Sequence, residues 1–155
     1  MKNDFNLPIM ALQKEQEVLA VKKCNEYTKK FGMTLSDAEI KELMQCRFDA
    51  LKSNGRIEFG MGILPKLIYE FCDSPYIYQD NYVETLEQLQ DIFYFFKNES
   101  MDELSDDELI QAMKKYFDNE CQGSIEYLAE TKLHELCRAI RFGNNKEQWE
   151  AEDND

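Results

Sequence analysis

The sequence predicts an all-α protein of about six helices in one compact domain, and three observations lead to that fold class. Apolar residues recur at helical spacing along most of the chain. Only three prolines and six glycines interrupt its 155 residues. A segment starting at Leu35 (LSDAEI) returns at Leu104 (LSDDEL), and each copy combines a capped helix, a glycine turn and a second helix.

The first predicted helix covers about residues 9–31 and ends at Gly32. The second begins at Ser36, whose spacing to Glu39 is that of a capping box, and ends at Asn54-Gly55. The apolar stripe that we expect this second helix to bury consists of Ile40, Leu43, Met44, Phe48 and Leu51.

Residues 56–59 alternate between charged and apolar side chains and predict a short extended stretch. The third helix follows, with Pro65 near its start and Asp73-Ser74-Pro75 at its end. The fourth begins at Asn81, which has capping-box spacing to Glu84. Its second half is almost wholly apolar, so we expect a central and nearly enclosed helix.

The fifth predicted helix begins at Ser105 with Glu108 in capping-box spacing, and Gly123 ends it. The sixth covers about residues 124–142. These helices predict one domain over residues 1–143, with repeat units at about 35–71 and 104–142. We expect the acidic tail over residues 144–155 to be disordered.

The repeat has the outline of an EF-hand, in which a fixed loop glycine is followed two residues later by an aliphatic residue. Two such units about a pseudo-twofold axis would pair Ile57 with Ile125 in a short two-stranded ribbon. Ala129 stands where the second loop needs its last acid, so divalent-cation binding is an alternative function and would be weak. The ligands in that alternative are Asp118, Glu120, Gln122 and Glu126.

Composition excludes several classes of function. A net charge of −13 disfavours nucleic acid as a partner. The longest apolar run, residues 92–96, is far below the ~20 residues of a membrane span, and no signal peptide is visible, so we expect a cytoplasmic protein. Five well-separated cysteines predict reduced thiols, and no motif calls for a cofactor.

The leading functional prediction is a non-enzymatic interaction module, monomeric or homodimeric, with an unidentified protein partner that the acidic surface would favour if basic. One candidate surface is the aromatic loop of residues 76–82, and the other is the acidic run of residues 99–108. The interaction residues predicted on these two surfaces are Tyr76, Tyr78, Tyr82, Glu99, Asp102, Glu103, Asp106 and Asp107.

A small-ligand or enzymatic pocket under the aromatic helix is a further alternative. His134, the single histidine, shares a helix face with Cys137. Their neighbours are apolar and no oxyanion motif accompanies them, so we read the pair as core and predict no catalytic residue.

Several stretches carry a resemblance to a known family: residues 55–60 (GRIEFG), 62–68 (GILPKLI), 71–76 (FCDSPY), 95–99 (FFKNE) and 121–128 (CQGSIEYL). In these the chain resembles an uncharacterised bacterial family of small acidic helical proteins, a domain of unknown function, over about residues 35–138. The resemblance implies a bacterial cytoplasmic protein and assigns no role to any residue.

Overall fold

The computed structural model describes residues 7–60 and 62–143, with side chains from residue 14 onward. Regular structure in this range is helical, and no strand occurs in it. The α-helical segments are α1 (Leu7–Lys23), α2 (Asn25–Thr28), α3 (Asp37–Ser53), α4 (Leu64–Phe71), α5 (Tyr82–Glu99), α6 (Asp106–Asp118), α7 (Ile125–Tyr127) and α8 (Leu133–Arg141). Six of these contain eight or more residues, which confirms the predicted fold class and helix number. None of the described helices is both long and apolar enough to cross a membrane.

The two predicted capping boxes are both present. The Ser36 hydroxyl accepts a hydrogen bond from the Glu39 backbone N–H at 3.1 Å, and the Glu39 carboxylate accepts one from the Ser36 N–H at 2.8 Å. Ser105 and Glu108 make the same pair of bonds at the start of α6. Because each box satisfies two N–H groups that a helix start leaves unpaired, α3 and α6 begin where the sequence predicts.

The first predicted helix is wrong in one respect, because it is broken within residues 9–31. Helix α1 ends at Lys23, and α2 is followed by a 3₁₀ turn over Lys29–Phe31. The side-chain amide of Asn25 exchanges two hydrogen bonds with the backbone of Leu35, at 2.8 and 2.9 Å. This contact folds the chain back on itself, so a straight helix cannot continue.

Helix α5 lies at the centre of the fold and packs against α3, α4, α6 and α8. Its Phe93, Tyr94 and Phe96 are buried in one cluster with the apolar side chains of the other helices. Gln90 is also buried and donates a hydrogen bond to the Leu43 carbonyl of α3 at 3.1 Å. The predicted central helix is confirmed. The domain boundaries stay predictions, and the tail at 144–155 lies outside the described residues.

The predicted sixth helix contains a π-helical segment, Leu128–Lys132, between α7 and α8. The N–H of Leu133 bonds the carbonyl of Leu128, five residues earlier. Both leucines are fully buried. Residues five apart diverge on an α-helix, so the wider turn is what brings both leucines to the same buried face.

The predicted ribbon is wrong. Ile57 is 84% exposed and Ile125 is the first residue of α7, so neither belongs to a strand. The two copies also diverge beyond their glycines, since residues without regular structure follow Gly55 and a helix begins shortly after Gly123. A side chain at Gly123 would stand 2.5 Å from Cβ of Tyr76, so this glycine is needed for packing as well as for its φ of +83°. The EF-hand-like pairing of the repeats is therefore not supported.

Candidate functional site

In residues 56–59 the charged side chains point toward the protein and the apolar side chains point to solvent, the reverse of an ordinary surface segment. The charged Arg56 and Glu58 turn toward the protein, whereas Ile57 and Phe59 are 84% and 90% exposed. Successive side chains of an extended chain point to opposite sides, so anchoring one pair exposes the other. The segment has no regular secondary structure, and its apolar side chains face solvent.

The inner end of Glu58 lies in a polar network under this segment. One carboxylate oxygen, Oε1, accepts a hydrogen bond from Arg47 Nε at 2.7 Å and another from the Tyr94 hydroxyl. The same arginine donates to the Gly60 carbonyl at 3.0 Å. Burial lowers the pKa of Arg47, but the hydrogen bond and charge of Glu58 more than offset it and the pKa is raised. Arg47 therefore stays cationic, and the network is a buried ion pair.

A second anchor holds the start of the segment. The Arg56 guanidinium donates to Asn98 Oδ1 at 2.6 Å and to Asp102 Oδ1 at 2.9 Å, beside the end of α5. The Asn98 amide in turn donates to the Asn54 carbonyl at 2.8 Å. Both charged residues of the segment are thus tied to helices, which keeps its two apolar residues outside.

An open groove of about 1600 Å³ runs beside this segment, between α1 and α3. Phe48 and Leu19 project at its surface, 60% and 64% exposed, with Phe59 at its rim. Half-buried apolar side chains of both helices form its floor, and they are Val18, Met44 and Leu51. The predicted burial of Phe48 is wrong, because the neighbouring Arg47 occupies the interior position and turns Phe48 outward.

Four carboxylates line a separate depression next to the groove, from Glu42 and Asp49 of α3 and Glu87 and Asp91 of α5; we call them the acidic ledge. Gln45 lines both the groove and the depression that holds the ledge. Burial and neighbouring carboxylates raise the pKa of Glu87 and of Asp91. Burial, followed by the charges of all four acids, raises the pKa of the Cys46 thiol between them to about 12.

The aromatic loop predicted as an interaction surface is mostly internal. Tyr82 is only 1% exposed, and the half-buried Tyr76 packs its ring edge-on against Phe117. Asn81 does not cap α5 and instead accepts a hydrogen bond from the N–H of Tyr78 at 2.7 Å. Only Tyr78 of the three predicted tyrosines remains well exposed.

The predicted acidic surface is largely neutralised by the chain itself. Four of its carboxylates pair with basic side chains, so this run has little charge left for a partner. The pairs are Glu99 with Arg141 at 2.9 Å, Asp102 with Arg56 at 2.9 Å, Asp106 with Lys97 at 3.1 Å and Asp107 with Lys66 at 2.9 Å. Glu103 is exposed.

The alternative cation ligands are not brought together. Asp118 accepts a hydrogen bond from the Ser74 hydroxyl at 2.6 Å and pairs with the Lys114 ammonium at 3.0 Å. A cationic side chain thus already occupies that carboxylate, while Glu120, Gln122 and Glu126 are exposed. Among the described residues, no three acidic, histidine or cysteine side chains could hold a metal ion.

Most aromatic side chains of α5, which the alternative of a ligand pocket requires to be accessible, are buried. Phe93, Tyr94 and Phe96 are each at most 2% exposed. Burial raises the pKa of the Cys137 thiol to about 11, and its S–H points to the Phe96 carbonyl. A thiol with a raised pKa is a poor nucleophile, which agrees with reading Cys137 as core, whereas His134 is half-buried.

These features define a class of protein: a small all-helical protein with an open, partly apolar groove between two helices. The model of a family described as a family of unknown function (DUF6323) matches residues 20–146, and the chain belongs to that family. The predicted resemblance to a domain of unknown function is thereby confirmed. No curated protein and no solved structure matches the chain.

The groove was not predicted, although two features of the sequence indicate it. Arg47 is a basic residue at the edge of the apolar stripe of α3, a position that needs a buried partner. The alternating residues 56–59 lie between glycines, where the chain can leave the surface of the helices.

The ion pair beneath the groove predicts opposite sensitivities for two nearby glycines. A Cβ at Gly62 would lie 1.8 Å from Glu58 Oε1 and 2.7 Å from Arg47 Nε, whereas a Cβ at Gly60 meets nothing within 4 Å. Both glycines have positive φ, so Gly60→Ala should lower the free energy of unfolding only by the strain of a left-handed alanine, about 1 kcal/mol. Gly62→Ala should cost about 3 kcal/mol or more because it also breaks the buried pair. Urea unfolding measures both, and equal costs would show that the Glu58 carboxylate moves aside freely.

The acidic ledge predicts an unusual dependence of stability on pH. A carboxyl whose pKa is higher in the folded state than in the unfolded state is harder to ionise after folding, so its ionisation costs stability above the folded pKa. That cost disappears below the unfolded pKa, at about 4. Glu87→Gln and Asp91→Asn should therefore raise the melting temperature at pH 7, with a gain that vanishes near pH 3. Glu103→Gln is the exposed control, and a lower melting temperature of the ledge variants at pH 7 would contradict the prediction.

Proposed function

We propose that this protein is a non-enzymatic interaction module that binds a segment of a protein partner in the groove between α1 and α3. The observation that carries the proposal is the outward display of Phe59 and Ile57 by a segment whose charged residues are anchored inside. A contiguous exposed apolar patch is typical of a binding surface.

The shape of the groove favours a helix as the bound segment. The α3 residues that line it lie on one face and span 37 to 51, about 21 Å at 1.5 Å per residue. Its apolar part is formed by Met44, Phe48 and Leu51 at spacings of four and three residues. A helix of about four turns would set an apolar ridge against these side chains, as amphipathic helices do in hydrophobic grooves.

The chemistry under the groove supports binding over catalysis. Burial raises the pKa of the Tyr94 phenol, and Glu58 raises it further. The pKa of Arg47 is also raised, by Glu58. Neither group would exchange a proton near neutral pH, so neither Arg47 nor Tyr94 suits general acid–base catalysis. A structural role for both agrees with an interaction module, and the cytoplasmic location and the exclusion of nucleic acid remain predictions from the sequence.

Affinity capture with matched variants tests the proposal. Full-length protein and the Phe48→Ala, Phe59→Ala double variant are used to capture proteins from lysate of the source cells, followed by quantitative mass spectrometry. Partners held by the wild type should fall by at least about tenfold on the double variant, because removing two aromatic side chains that contact the partner costs on the order of 2 kcal/mol of binding free energy each.

Two further variants make the result specific. Phe142→Ala removes an equally exposed phenylalanine outside the groove, and Tyr78→Ala removes the exposed tyrosine of the loop at 76–82. Both should keep the partners, and circular dichroism should show that all variants are folded. Loss on Tyr78→Ala with retention on the double variant would place binding at the loop and overturn the proposal.

A further inference from the structure

The acidic ledge brings four acids together without a basic counterpart in the described part of the chain. No lysine, arginine or histidine of the described residues forms an ion pair with Glu42, Asp49, Glu87 or Asp91, and the one side-chain donor to Asp49 is the neutral amide of Gln45 at 3.0 Å. Ion pairs do engage acids elsewhere, for example Asp37 with Lys22 at 3.1 Å and Asp73 with Lys114 at 2.7 Å.

The ledge runs alongside the apolar part of the groove. Glu42 and Asp49 are seven residues apart, two turns along the same side of α3, and Glu87 and Asp91 are one turn apart on the adjacent α5. On α3, Gln45 separates this acidic side from the side of Met44, Phe48 and Leu51. A helix lying on the apolar residues would therefore have one flank over the acids.

We propose that the segment bound in the groove is an amphipathic helix with lysine or arginine along one flank, placed against the acidic ledge. The inference rests on the proposed function, which supplies the helix, and adds the charge of its partner. The apolar ridge would give affinity, and the basic flank would fix the direction and register of the helix and speed its association. The raised pKa values of Glu87 and Asp91 agree with this, because burial and neighbouring carboxylates disfavour their charged forms and an incoming cation would favour them.

Charge also argues against occupants supplied by this chain. Two copies would each bring a net charge of −13, so they repel one another as they approach. Residues 144–155 contain one lysine against five acids, which makes them a poor match for an acidic ledge. A separate basic partner avoids both difficulties.

Selection from a library of displayed helical peptides tests the inference without knowledge of the natural partner. Peptides of about 18 residues carry fixed apolar positions at three- and four-residue spacing and random residues elsewhere. They are selected on the folded full-length protein and counter-selected on the Phe48→Ala, Phe59→Ala double variant. The proposal predicts enrichment of lysine and arginine on one flank of the selected helices.

Two sets of neutralised proteins then locate the charge effect. The ledge set carries Glu42→Gln, Asp49→Asn, Glu87→Gln and Asp91→Asn, and the control set carries Glu103→Gln, Glu120→Gln, Glu126→Gln and Glu130→Gln, which changes the net charge equally. Affinity of the selected peptides should fall by about tenfold or more on the ledge set and little on the control set, and should weaken with added salt.

The possible failures separate the two proposals. Peptides that depend on Phe48 and Phe59 but carry no basic flank would overturn this inference and leave the groove in place. Equal loss on both neutralised sets would also overturn it, since the attraction would then be a property of overall charge. Failure to select any peptide over the double variant would overturn the proposed function together with this inference.

Discussion

The carboxylate of Glu58 lies inside the protein between Arg47 and Tyr94, and its need for a counter-charge there governs the surface above it. An ionised carboxylate taken out of water costs several kcal/mol unless it is paired and hydrogen-bonded. Arg47 meets that need, and its own burial in turn requires the carboxylate. Once this pair forms, the residues on either side of Glu58 must face solvent, and Gly62 must lack a side chain.

Two neighbouring features of the surface lower the stability of the fold. Both lie next to the groove. Phe48 and Phe59 leave apolar area in water that could have been buried. The acidic ledge keeps four carboxylates together without a basic residue of the described chain, although most of the acids at 99–108 have such partners. Local departures from the rules of folding that coincide in space are expected at functional sites.

The sequence predicted what is decided locally and missed what depends on distant residues. Capping boxes at Ser36 and Ser105 involve contacts three residues apart, so the helix starts could be read directly. Helical spacing allows either Arg47 or Phe48 to face inward, and an apolar residue is the usual choice. Arg47 takes the inward position because Glu58 accepts hydrogen bonds from both Arg47 and Tyr94, and Tyr94 lies 47 positions further along the chain. The groove follows from that choice, which no local pattern of apolar residues reveals.

The Arg47–Glu58 pair holds the apolar residues of the segment at 56–59 in solvent. Methyl NMR with a soluble paramagnetic agent measures this directly, because relaxation enhancement reports the exposure of each isoleucine methyl group. Ile57 should show the strongest enhancement among the described isoleucines, far above the fully buried Ile40 and Ile68, and Glu58→Leu should lower it as the segment turns over. An Ile57 methyl group as protected as that of Ile68 in the wild type would show that the pair does not hold the segment in this orientation.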